Sequence, residues 1–177
     1  QTLSEGAMYS EEKHSGLENM NHIGIPINDI CDGCDTSDER TKKFVSFLTE
    51  TTRNPSTMYL VTDAQKPDGN IVACSLAWCD RCGYNGAEIV NRSCRFLQGP
   101  ATDAKRIKTI VKSIQHKETI HTVLMNYKRT HEPFKNDFVM FPLLGSDGEV
   151  MFYASIHEPS ADTISAVNNI CRIQIHR

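Results

Sequence analysis

Seven cysteines and a set of strand-borne amides are the residues with chemistry to offer in this chain. Cys31-Asp-Gly-Cys34 and Cys79-Asp-Arg-Cys82 have the spacing that lets paired thiolates grip one zinc ion. Yet 44 residues part the two pairs, against ~15–20 in the usual four-cysteine finger. With Cys74, Cys94 and Cys171 the count is odd, which reads as free thiols rather than a disulfide framework. A zinc-holding adaptor is therefore a minor reading beside buried or incidental thiols. The amides are more telling. Two-residue periodicity puts Leu124 with Asn126, Asn136 with Phe138 and Met140, and Ser155 with His157. If the apolar members face a core, two amides and an imidazole go inward with them and need partners there. They can satisfy one another, or turn outward at strand ends. With Gln98 across the sheet, they make the better case for a planar ligand with a polar edge, its faces held by Phe and Met.

Those strands need a scaffold. From residue 57 the texture turns β-rich, with runs at 57–63 and 71–75 joined by the turn Lys66-Pro-Asp-Gly69. Residues 76–89, interrupted by Gly83 and Gly86, suit two short helices. Thr102 is placed to cap an amphipathic helix with Ile107, Ile110, Val111 and Ile114 at i, i+3, i+4 and i+7. Strand-like runs follow at 118–128, 134–144 and 149–158. This order predicts an α+β domain over 57–158, a five-stranded antiparallel sheet with helices on one face. Ahead of it, Thr36-Ser-Asp-Glu39 reads as a capping box opening a flanking helix within 36–56, ending near Asn54-Pro55. Its face of Phe44, Val45, Phe47 and Leu48 should cover the sheet's outer side or pair with its copy in a homodimer. Residues 1–35 read as an acidic, partly disordered arm, and 159–177 as a C-terminal flanking segment able to form a helix.

Composition narrows the function classes. Of 177 residues, 39% are hydrophobic and 23% charged, an ordinary globular balance. The net charge of −3 hides an asymmetry: residues 1–39 hold nine acids and one base, the rest thirteen acids and eighteen bases. No dense Lys/Arg stripe with interleaved aromatics supports nucleic-acid binding. No window approaches the ~20 apolar residues of a membrane span, and no signal-peptide pattern opens the chain. The expectation is a soluble intracellular protein of the cytoplasm or nucleus. Starting at Gln1 without an initiator Met, the chain reads as an excised fragment.

Cys94-Arg-Phe-Leu-Gln-Gly-Pro-Ala-Thr-Asp103 closely resembles the signature of LOV (light-oxygen-voltage) domains, the flavin-binding branch of the PAS superfamily. The resemblance covers about residues 57–158 and includes Val61-Thr-Asp63, Cys82-Gly-Tyr84, Asn126-Tyr127 and Pro133-Phe134-x-Asn136. It implies a blue-light sensory module that binds FMN and forms a reversible cysteinyl-flavin C4a adduct. The family pattern makes Cys94 the photoactive thiol and Arg95 the guanidinium on the flavin phosphate. Gln98, Asn126 and Asn136 match the amides at the polar edge of the ring, and Phe138 and Met140 match ring-packing positions. Three departures stand out. Ser93 replaces the asparagine of the usual Gly-x-Asn-Cys, giving a shorter hydroxyl contact. Val111 stands where a second phosphate-binding arginine is common, so Lys108 or Lys112 would supply a point charge instead. His157 replaces the glutamine that senses flavin N5. An imidazole there can serve as acid or base, titrating near ~6.5, or point out at the strand end as a solvated histidine. The resemblance implies a switch rather than a turnover catalyst, with possible homodimerisation through flanking helices and an unknown effector protein, since no kinase, DNA-binding or phosphodiesterase signature appears. The competing reading is a flavin-free PAS module used for dimerisation or regulation.

Overall fold

Alternating apolar residues and well-marked turns decide the sheet. Lys66-Pro-Asp-Gly69 closes a hairpin between β2 (Met58–Asp63) and β3 (Asn70–Ser75), with Gly69 at φ +63°. β4 (Ile120–Tyr127), β5 (Pro133–Leu144) and β6 (Val150–His157) follow as antiparallel neighbours. The computed structural model describes residues 21–172, and within them the sheet has six strands, not five. The added strand is β1 (His22–Gly24), giving the order β1-β3-β2-β6-β5-β4.

The first strand corrects the reading of 1–35 as an arm. Residues 1–20 of that segment lie outside the described residues. The remainder pairs His22, Ile23 and Gly24 with Ser75, Cys74 and Ala73 and continues into α1 (Ile27–Asp32), which buries Ile30 and Cys31. Gly24 permits the close approach: at φ +92°, a Cβ there would run into the Val72 carbonyl.

Two layers of helices sandwich the sheet. On the outer face, α1, α2 (Glu39–Thr51) and α6 (Ala161–Cys171) pack Ile30, Phe44, Leu48, Val167 and Ile170 against Val139, Phe141 and Leu143 of β5. On the inner face lie α3 (Leu76–Cys82), α4 (Gly86–Ile89), a 3-10 turn (Cys94–Leu97) and α5 (Ala104–Gln115). Two caps differ from expectation. The carboxylate of Asp38, not Thr36, caps α2 by accepting from the Thr41 N–H at 2.7 Å. Asp103 caps α5, while Thr102 donates its hydroxyl to the Met125 carbonyl at 2.6 Å. In both places a carboxylate one or two residues on takes the orphan amides.

The apolar face of α2 covers the outer sheet. Phe44 stacks on Phe141 with ring centroids 4.5 Å apart, and Phe47 meets the same ring edge-on at 5.8 Å. Phe47→Glu should therefore act on stability first, costing about 2 kcal/mol by placing a carboxylate against an apolar ring. Urea denaturation measures that loss. An unchanged midpoint together with an altered size-exclusion profile would instead make this face an interface between copies.

Candidate functional site

Strand alternation brings the inward polar residues together. Across β4 and β5, Leu124 stands opposite Asn136 and Asn126 opposite Phe134. Across β5 and β6, Phe138 faces His157 and Met140 faces Ser155. Asn126, Asn136, Ser155 and His157 are all buried. They form one chain of hydrogen bonds, whose direction follows from its end. The Leu97 carbonyl can only accept, so Asn126 turns Nδ2 toward it at 3.2 Å. Asn126 Oδ1 then accepts from Asn136 Nδ2 at 2.8 Å. Asn136 Oδ1 in turn needs a donor, which His157 Nδ1–H supplies at 2.7 Å. His157 Nε2 is left as an acceptor, with Ser155 Oγ 3.1 Å away.

His157 does not sit in solvent at the strand end. Its ring lies edge-on to Trp78 at 5.9 Å and tilted against Phe138 at 5.5 Å. Burial pushes its pKa down to about 3, because charging an imidazole in apolar surroundings is costly. The histidine is neutral at every physiological pH, which corrects the expected titration near its ordinary value.

The facing wall is built by caps and left-handed residues. Ser75 Oγ accepts from the Trp78 N–H at 3.2 Å and starts α3. Gly83, at φ +76°, ends it, and Asn85 with Glu88 makes a reciprocal capping box for α4. Asn91 takes φ +67°, a conformation that asparagine tolerates better than most residues with a Cβ. The chain thereby turns into the 3-10 segment. Ser93 Oγ caps it, accepting from the Arg95 N–H at 3.4 Å, so its hydroxyl works locally and is not part of the ladder. Cys94 opens the segment and packs against the inner core that holds Cys74, Cys79 and Cys82. Burial raises its thiol to about 12, so the sulfur carries its proton at neutral pH. The bond from Asn126 to Leu97 ties the segment bearing this thiol to the amide ladder.

Other expected residues lie outside the ladder. Gln98, Arg95 and Lys108 are exposed; at the end of the 3-10 turn it is Leu97, not Gln98, that takes the inward position. Arg95 Nη2 pairs with Asp68 Oδ1 at 3.0 Å. Two residues escaped selection from sequence. Ser155 shared a face with His157 but carried no motif, and Trp78 had no signal beyond being the single tryptophan. The zinc reading fails on geometry. Cys31 and Cys34 belong to the outer core and Cys79 and Cys82 to the inner one, with the sheet between them.

The geometry agrees with what the chain resembles. A PAS domain profile matches residues 56–158. The dark structure of the blue-light photoreceptor Aureochrome1 LOV superposes with a TM-score of 0.58 at 30% identity, covering 69% of this chain and 89% of that one. The chain belongs to the PAS family, in its LOV branch. A Light-Oxygen-Voltage domain studied with a flavin analogue superposes on this LOV domain with a TM-score of 0.60 at 29% identity, covering 69% of this chain and 91% of that one. A blue-light-activated histidine kinase of Rhizobium johnstonii is 35% identical over 112 residues, 63% of this chain and 32% of the kinase. Phototropin-2 of Oryza sativa subsp. japonica is 30% identical over 111 residues, 63% of this chain and 12% of the phototropin. The chain thus spans a third or less of these curated relatives. No helix among the described residues is long and apolar enough to cross a membrane.

Proposed function

We propose that this LOV domain is a blue-light sensory module that holds FMN against the inner face of the sheet and bonds it reversibly through Cys94. The observation that carries the reading is the buried ladder of Asn126, Asn136 and His157, tied to the segment of a protonated thiol. The residues present fit a flavin. Asn136 uses one N–H and one lone pair within the chain, keeping a second of each for a ring edge that alternates N–H and C=O. Leu124, Phe138 and Met140 give the ladder apolar flanks. α5 buries Ser113 alone and leaves Val111 46% and Ile114 39% exposed, so its apolar stripe has room for further covering. A bound flavin supplies the blue absorption and an electrophilic carbon, C4a. Cys94 supplies the sulfur and a proton, the two amides orient the ring edge, and His157 stands as a neutral base beside them.

The phosphate would lie at the exposed mouth, where Arg95 offers a planar fork and Lys108 a point charge. Asp68 competes for that fork. Arg95→Ala should weaken FMN binding by about tenfold, ~1.4 kcal/mol, and Lys108→Ala by less. Equilibrium titration of the flavin-free protein with FMN and with riboflavin checks this. An FMN preference that survives Arg95→Ala intact moves the anchor elsewhere.

Light output would pass to the flanking helices and to a separate effector or a second copy of the chain. Seven free thiols suit a reducing, intracellular setting. One observation favours a flavin-free regulatory PAS module instead: among the described residues, every buried side-chain polar atom already has a hydrogen-bond partner within the protein. The absorption spectrum of the purified protein separates the two. A structured blue flavin band that bleaches in light supports the sensor, and its absence after incubation with FMN supports the alternative.

A further inference from the structure

The buried chain on the inner face has acceptor-only groups at both ends, the Leu97 carbonyl and the Leu60 carbonyl. Between them, each amide is fixed by its neighbour. Ser155 alone has a choice: its single proton can go to His157 Nε2 at 3.1 Å or to the Leu60 carbonyl at 3.3 Å. While Asn126 holds Leu97, every donor points that way and His157 is the Nδ1–H tautomer. Release of Leu97 leaves Asn126 Nδ2 only the longer, 3.4 Å contact to the Met125 carbonyl, and with the shorter hold gone both amides can turn over. Asn136 Nδ2 would then donate to His157 Nδ1, and the imidazole proton would sit on Nε2.

That second arrangement needs an acceptor at Nε2. Trp78 closes over the ring with a donor-only indole, and Phe138 and Met58 flank it across the strands. The neighbouring carboxylate of Glu158 is exposed and held by Arg81 at 2.8 Å. The Ser155 hydroxyl remains: turned to Leu60, its oxygen accepts from Nε2–H. An alkyl side chain there would leave a buried N–H unpaired, which is costly.

We propose that Ser155 is a positioning residue that lets His157 exchange its Nδ1–H tautomer for the Nε2–H one, coupling the end of β6 to the 3-10 segment that carries Cys94. One N–H bond breaks at Nδ1 and one forms at Nε2, and the net charge is unchanged. Coupling of this kind is reciprocal: displacing Leu97 biases the tautomer, and the tautomer biases the hold on Leu97. The inference rests on the sensory reading for its trigger, the movement of the 3-10 segment when Cys94 bonds, and its test does not.

Two-bond imidazole 15N spectra at pH 7.5 in the dark provide that test, with flavin content read by absorbance on the same samples. Wild type and Ser155→Ala should both show Nδ1–H alone. Asn126→Leu, or the milder Asn126→Ser, should release the anchor and bring the Nε2–H form to at least about a third of the signal, a free-energy gap under ~0.5 kcal/mol. Adding Ser155→Ala to either variant should abolish that form, and Ser155→Thr should retain it. Nε2–H in the wild type, its persistence in the double variants, or its absence from both folded Asn126 variants overturns the proposal. These outcomes are read on samples whose absorbance shows no flavin, where Ser155 Oγ is the group facing Nε2, and failure of the same protein to take up added FMN counts against the sensory reading alone.

Discussion

Cys94→Ala should keep its flavin and lose reversible bleaching altogether, a fall of more than about 100-fold in the light-driven absorbance change. In the proposed sensor the thiol brings both a sulfur nucleophile and a proton to the flavin, and burial keeps that proton on Cys94 with a pKa raised to about 12. Alanine offers neither, while the amides and the apolar flanks proposed to hold the ring are untouched. The inner core makes the experiment more searching than the motif alone would. Cys74, Cys79 and Cys82 share it with Cys94, and Cys79 has its pKa lowered by a hydrogen bond from the Cys74 thiol, with 3.6 Å between the sulfurs. Cys79 is thus the one competitor whose thiolate is favoured. Slow residual bleaching in Cys94→Ala that disappears when Cys79→Ser is added would assign a second route to it. Full bleaching and recovery in Cys94→Ala would remove Cys94 from the photochemistry. Flash photolysis with blue excitation, followed by dark recovery, reads each case.

The parts legible in sequence were those with a local physical cause. Period-two alternation placed Asn126, Asn136, Phe138, Met140, Ser155 and His157 on one face, and pairing across β4, β5 and β6 does set them side by side. Gly83 and the turn Lys66-Pro-Asp-Gly69 broke the chain where the structure breaks it. What escaped depended on contacts made at long range. β1 has three residues and no periodicity, and exists because Gly24 fits under Val72. Thr36 had the capping-box spacing, but Asp35 bonds the Ser37 N–H and Asp38 takes the Thr41 N–H, so the helix starts two residues later than the motif implies. Gln98 follows an inward Leu97 in a 3-10 turn, whose three-residue period does not project onto strand alternation. His157 sits at a strand end, where solvent is the default expectation; the covering Trp78 lies 79 residues earlier in the chain, on a helix folded back across the sheet.

That covering gives His157 a signature in acid. The unfolded chain protonates this histidine below ~6.5, whereas burial holds the folded-state value at about 3. The unfolded state therefore binds the extra proton first, and stability falls as pH falls from ~6.5 toward the folded value, by about 1.4 kcal/mol per pH unit. Its stabilising effect is fully present above ~6.5. Between pH 8 and pH 5 the wild type should lose about 2 kcal/mol more than His157→Gln, which keeps a hydrogen-bonding amide but cannot titrate. Urea midpoints for the two proteins at both pH values measure the difference. The same neutrality shapes the photocycle of the proposed sensor. A base that never titrates in the working range predicts dark recovery without a histidine step between pH 6 and 8, and His157→Leu should slow recovery by about 100-fold through loss of the base. His157→Gln should recover by the route that an amide allows. A recovery profile with a midpoint near 6.5 that vanishes in His157→Leu would mean that the ring reaches water in the dark state. Equal recovery rates in all three proteins would show that the imidazole, though buried in the ladder, takes no part in returning the proton.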